Sequence, residues 1–79
     1  MVNAAQIKAA RALLGWSQDE LCERADIHRR TLTTLESGKI QSYDSTINRV
    51  VIALESAGVQ FFEQDGGGYG VLIRPSTEP

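Results

Sequence analysis

Ser17 to Lys39, S-Q-D-E-L-C-E-R-A-D-I-H-R-R-T-L-T-T-L-E-S-G-K, decides the fold, because it divides into two short helices with almost nothing between them. Ser17 and Glu20 have the spacing of a capping box: the serine hydroxyl accepts from the amide three residues on, and the glutamate reaches back to the serine amide. Trp16 stands just before this cap, placed to staple onto Leu21. A helix therefore starts at Gln18, with Leu21, Cys22 and Ala25 on one side. The apolar pattern stops at Ala25-Asp26-Ile27, which leaves room only for a tight helix-to-helix turn.

The second helix sorts by angle. At about 100° per residue from Arg29, the residues Thr31, Leu35 and Leu32 share an arc of about 100°, while Arg29, Arg30, Thr33, Thr34 and Ser37 spread over the other side. The first set is core and the second is free to touch a partner. Gly38 closes the helix by taking positive φ, and Lys39 follows near the negative end of the helix dipole.

Outward from this pair the elements are readable more coarsely. Asn3 and Gln6 form a second capping box, opening a helix that buries Ile7, Ala10 and Leu14 and closes at Gly15. A polar loop, Ile40 to Tyr43, leads to a fourth helix from about Asp44 to Ala57, where Ile47, Val50, Val51 and Leu54 recur at i, i+3, i+4 and i+7. Gly58 terminates it. Val59 to Glu63 and Tyr69 to Arg74 are rich in strand formers, and the intervening Gln64-Asp65-Gly66-Gly67-Gly68 supplies hairpin glycines. Pro75 ends the last strand.

The expected architecture is mainly α: a compact four-helix domain over residues 1–58, then a C-terminal β-hairpin and tail over 59–79. An isolated two-stranded hairpin is marginal in water, and a chain of 79 residues buries only about 60% of its unfolded surface. The hairpin is therefore expected to meet its counterpart on a second chain. Phe61 or Phe62 with Val71 and Ile73 would form that homodimer interface.

Composition narrows the function. No run approaches the roughly 18 apolar residues of a membrane span, and the opening M-V-N-A-A-Q-I-K lacks the apolar core of a signal peptide, so a cytoplasmic protein with no membrane partner is expected. Cys22 is the only cysteine, which excludes an intrachain disulfide framework; on the inward face it reads as a small buried hydrophobe. His28 has no cysteine or second histidine with which to share a metal. The glycine run is followed by neither a helix nor Gly-Lys-Ser/Thr, so it is a loop rather than a phosphate cradle. No nucleophile-base pair is present, and neither an enzyme nor a cofactor is expected.

The net charge is -2, where a domain that binds nucleic acid is often basic. The charge is uneven, however: residues 1–40 hold six Lys or Arg against five Asp or Glu, and residues 41–79 hold two against five. An attractive field must be local, made by Arg29, Arg30 and Lys39.

With R-x-L-L-G-W-S-Q-D-E-L (11–21), L-x-x-L-E-S-G-K (32–39) and S-T-I-x-x-V-x-x-A-L (45–54), the chain resembles the Cro/phage-repressor, or XRE-type, helix-turn-helix regulators over residues 4–58. The resemblance implies a lambda-repressor-like fold that binds double-stranded DNA. It further implies that Gln18 contacts a phosphate and braces the recognition helix, that Arg29, Arg30 and Thr34 reach base edges, and that Ser37 and Lys39 contact phosphates. Arg11 and Glu36 match a scaffolding ion pair. Two positions depart from the pattern: Asp26 replaces the usual turn glycine, and His28 replaces the usual Ser or Thr cap of the third helix, a weaker cap than a hydroxyl.

The implied mechanism is repression or autoregulation by a homodimer on an inverted repeat. Arg29 or Arg30 suits guanine, and Thr33 or Thr34 a thymine methyl; which arginine reads and which grips phosphate stays open. The alternative is a protein-interaction module, such as an antitoxin that binds a toxin through the acidic second half and hairpin and represses its own operon secondarily.

Overall fold

Asn3 opens the first helix with both halves of its capping box formed: its side chain accepts from the Gln6 amide at 2.9 Å, and its own amide donates to the Gln6 side chain at 3.0 Å. The computed structural model describes residues 2–38 and 45–74. In order these form α1 (Ala4–Leu14), α2 (Gln18–Ala25), α3 (Arg29–Ser37), α4 (Ser45–Ser56), β1 (Val59–Glu63) and β2 (Tyr69–Ile73). Lys39, the Ile40 to Tyr43 loop, the Asp44 start of the fourth helix and Pro75 lie outside the described residues.

Each helix delivers one apolar face to a common centre. Ile7 and Ala10 of α1, Leu21, Cys22 and Ala25 of α2, Leu32 and Leu35 of α3, and Val50 and Leu54 of α4 are buried together, with Leu14, Trp16, Ile27 and Ile47 packed around them. Ala53 joins this group, while Val51 is half-buried outside it.

The second capping box is only half made. Ser17 accepts from the Glu20 amide at 3.1 Å, but the Glu20 carboxylate turns forward to Arg24 at 2.7 Å. That arginine in turn lies over the Trp16 ring, 4.5 Å from its centroid. An i, i+4 ion pair with a ring to rest on is a better partner for Glu20 than the exposed Ser17 amide.

Asp26 makes the turn between α2 and α3 in the left-handed region, at φ 58° and ψ 53°, and is the one non-glycine residue with positive φ among those described. Its amide donates to the Cys22 carbonyl, and its own carbonyl accepts from Arg49 of α4 at 3.2 Å. The departure from glycine is thus held from both sides. His28 precedes α3 without a side-chain cap, in keeping with the poor capping power of an imidazole.

The two strands pair antiparallel, with Val59 opposite Ile73 and Phe61 opposite Val71. Alternation sends Val59, Phe61, Val71 and Ile73 toward the helices, where they join the core, and leaves Gln60, Phe62 and Leu72 outward. Gln6 fastens this sheet to α1: its buried side-chain amide donates to the carbonyls of both Phe62 (3.3 Å) and Gly70 (3.0 Å). The hairpin therefore finds the support it needs within its own chain, where the sequence suggested a second one. Packing on a helix supplies what a bare hairpin lacks. Of Phe61, Phe62, Val71 and Ile73, Phe62 alone faces away.

Candidate nucleic-acid interface

α3 divides sharply into two faces. Leu32, Leu35 and Glu36 are buried, whereas Arg29, Arg30, Thr33 and Ser37 are exposed and Thr34 is half-buried. The exposed residues begin at the first residue of the helix and continue to its last. Lys39 lies outside the described residues.

This outward face is anchored to the core by one chain of polar contacts. The side chain of Glu36, 5% exposed, accepts from Arg11 Nε at 2.8 Å and Arg11 Nη2 at 3.1 Å. Arg11 Nη1 also donates to the Trp16 carbonyl, 3.1 Å away, so its whole guanidinium is committed. The free side of Glu36 Oε1 accepts from Gln18 Nε2 at 3.1 Å. Gln18 then offers its carbonyl oxygen to Arg29 Nε at 3.3 Å, and Arg29 Nη1 stands 3.4 Å from Asp19 Oδ1. Three helices are thereby linked through side chains of named geometry. A charge buried as deeply as Glu36 is tolerable only when its oxygens are satisfied in this way.

Arg30 differs from its neighbour. Among the described residues it has no hydrogen-bond or ion-pair partner, and its guanidinium is available in full. Ser37 turns its hydroxyl back to the Thr34 carbonyl at 2.7 Å. Cys22 lies behind the face; burial, then the negative charge of Asp19, pushes its thiol above its ordinary value, so it carries no charge near neutrality.

Gln18 and the Arg11–Glu36 pair are brought together at the positions that the resemblance implied for a brace and a scaffold. Asp19 was not singled out by sequence. It sits in the first turn of α2, where an acidic residue reads simply as a favourable dipole contact, and nothing in the linear pattern reveals that Arg29 lies across the gap. Among the described residues no group of three or more His, Cys, Asp or Glu could hold a metal ion, and no helix is long and apolar enough to cross a membrane.

Residues 7–51, more than half of the chain and spanning α1 to the middle of α4, match the family described as Helix-turn-helix. No curated protein matches the sequence.

Proposed function

The chain belongs to the XRE/Cro-type helix-turn-helix family of DNA-binding transcription regulators, and on that premise we propose that it is a homodimeric repressor or autoregulator that reads an inverted repeat. The observation that carries this reading is the division of α3: an exposed polar side headed by two arginines, opposite a leucine face locked into the core. A recognition helix enters the major groove with its N-terminal residues toward the bases, and the arginines stand at that end.

In this reading base contacts come from Thr33, Thr34 and the Arg29–Arg30 pair, one arginine reading and the other free to grip phosphate, and phosphate contacts also from Gln18, Ser37 and Lys39. The braced Gln18 supports the backbone role, since an amide fixed to a buried carboxylate presents itself without first losing rotamer freedom. The acidic remainder of the chain favours binding only in one orientation. Charges farther than the Debye length of about 8 Å at physiological salt are largely screened.

The dimer rests on the hairpin's outward side. Phe62 and Leu72 are 40% and 39% exposed there, an apolar pair that a second copy of the chain would cover. Two-fold symmetry would set two copies of α3 roughly 34 Å apart on one side of the duplex.

Selection from a random duplex pool tests the function. The expected result is an enriched palindrome with half-sites about one helical turn apart; enrichment of no sequence, or of one unrepeated site, would overturn it. Sedimentation tests the assembly, with a dimer expected for the native chain and a monomer for Phe62→Arg combined with Leu72→Arg. A variant that stays dimeric moves the interface to the helices.

A further inference from the structure

Arg29 and Arg30 are adjacent in sequence and alike in chemistry, yet the fold treats them differently. Arg29 has its Nε on the Gln18 carbonyl oxygen (3.3 Å) and its Nη1 beside Asp19 (3.4 Å), while Arg30 is unengaged among the described residues. The acceptor on Gln18 is itself fixed, because the same side chain donates to Glu36, which Arg11 holds. What orients Arg29 therefore reaches back into the core. Its side chain and that of Asp19 are 63% and 75% exposed, so water screens the pair and its contribution to stability is small. Its effect is on direction.

Direction matters for reading guanine. The major-groove edge of guanine offers two acceptors, O6 and N7, and a bidentate contact needs two parallel N–H groups. A guanidinium has two such pairs, Nε with Nη2 and Nη1 with Nη2. In Arg29 the Nε of the first pair donates to Gln18, and the Nη1 of the second stands within ion-pair reach of Asp19 at 3.4 Å. A phosphate oxygen asks for less, since one N–H and a positive charge suffice.

We infer that Arg30 is the guanine-reading arginine of this surface and that Arg29, held by Gln18 and flanked by Asp19, grips the DNA backbone. The inference rests on the reading that α3 enters the major groove. Asp19 carries a further consequence. Its charge opposes phosphate near the interface, so it tempers the sequence-independent part of binding.

The experiment profiles base preference and salt dependence for the full chain and five variants, on the duplex pool and on the selected site. Arg30→Ala should flatten preference for guanine at one position of each half-site, with discrimination there falling about tenfold or more, and Arg30→Lys should fail to restore it because an ammonium lacks the fork. Arg29→Ala should weaken all sequences by a common factor and make the salt slope shallower by about one unit; Arg29→Lys should restore both. Asp19→Asn should tighten all sequences alike and leave the base profile unchanged. A flattened position in Arg29→Ala, a uniform loss in Arg30→Ala, or a base profile altered by Asp19→Asn overturns the assignment. All three sites are exposed, and unchanged thermal melting confirms that the variants fold. If the native chain itself enriches no sequence, the groove-binding reading fails first and the assignment falls with it, an outcome distinct from any variant effect.

Discussion

Arg11 and Glu36 join α1 to α3 through two parallel donors, at 2.8 and 3.1 Å, with the glutamate side chain only 5% exposed. Removing the arginine leaves a carboxylate that has lost its counter-charge but cannot reach water. Arg11→Met should therefore lower the unfolding free energy by about 3 kcal/mol, the lower end of the range for breaking a buried pair, because Arg11 keeps 21% of its side chain in solvent. Replacing both residues with Met should recover most of the loss. Urea titration of the single and double variants measures this, and a neutral Arg11→Met would show that the pair is not the brace.

Asp26 accepts a left-handed backbone at φ 58° that a glycine would adopt with less strain. Its polar contacts to Cys22 and Arg49 are made by backbone atoms, which a glycine keeps. Asp26→Gly should stabilise the chain by about 0.5–1 kcal/mol, after allowing for the greater freedom of glycine in the unfolded chain. Thermal melting should shift upward by roughly 4 °C; a downward shift would mean that the carboxylate contributes beyond its conformation.

Gly58 and Gly70 both crowd a neighbour at 2.8 Å if given a Cβ, but the neighbours differ. At Gly58 the obstacle is the backbone carbonyl of Arg74, the residue whose amide donates to the Gly58 carbonyl at 2.8 Å, and φ is +102°. At Gly70 it is the tip of the half-exposed Phe62 ring, which can swing away. Gly58→Ala should cost upward of about 2 kcal/mol, and Gly70→Ala less than about 1 kcal/mol. Equal losses in chemical denaturation would mean that the Phe62 ring is fixed in place.

The Cys22 thiol is pushed above its ordinary 9.0 chiefly by burial, then by Asp19. The folded chain therefore holds this proton more tightly than the unfolded one. The resulting stability is fully present below pH 9 and is lost as pH rises through the folded-state value. Stability measured between pH 8 and 10 should decline less in Cys22→Ala than in the native chain. A soluble aromatic disulfide at pH 8 should label Cys22 only at the rate of unfolding; prompt labelling would show an accessible thiolate instead.

The helices were legible in the sequence because local signals agreed with burial. Asn3, Ser17, Gly15 and Gly38 mark ends by chemistry that acts within one turn, and the leucines of α3 fall on one side by angle alone. The hairpin strands were legible too, through β-branched and aromatic residues around glycines. What they pack against was not, since Gln6 and the Phe62 carbonyl are 56 residues apart and a capping residue gives no sign of a second partner. The Glu20 carboxylate was misplaced for a similar reason. Its capping role and its pairing with Arg24 have equally good spacing, and only the Trp16 ring beneath the arginine tips the choice. Likewise the contrast between Arg29 and Arg30 depends on Asp19 and Gln18, eleven residues back from Arg29 in the case of Gln18.

The double duty of Gln6 has a consequence for anyone who would trim this polypeptide. One carboxamide both seals the beginning of α1 and clips down the closing β-ribbon, so the two extremities of the fold share a fastener. Shortening the chain before Tyr69 would loosen the amino-terminal turn as well, and a loss of DNA affinity after such a cut would report a slackened scaffold rather than a missing arm.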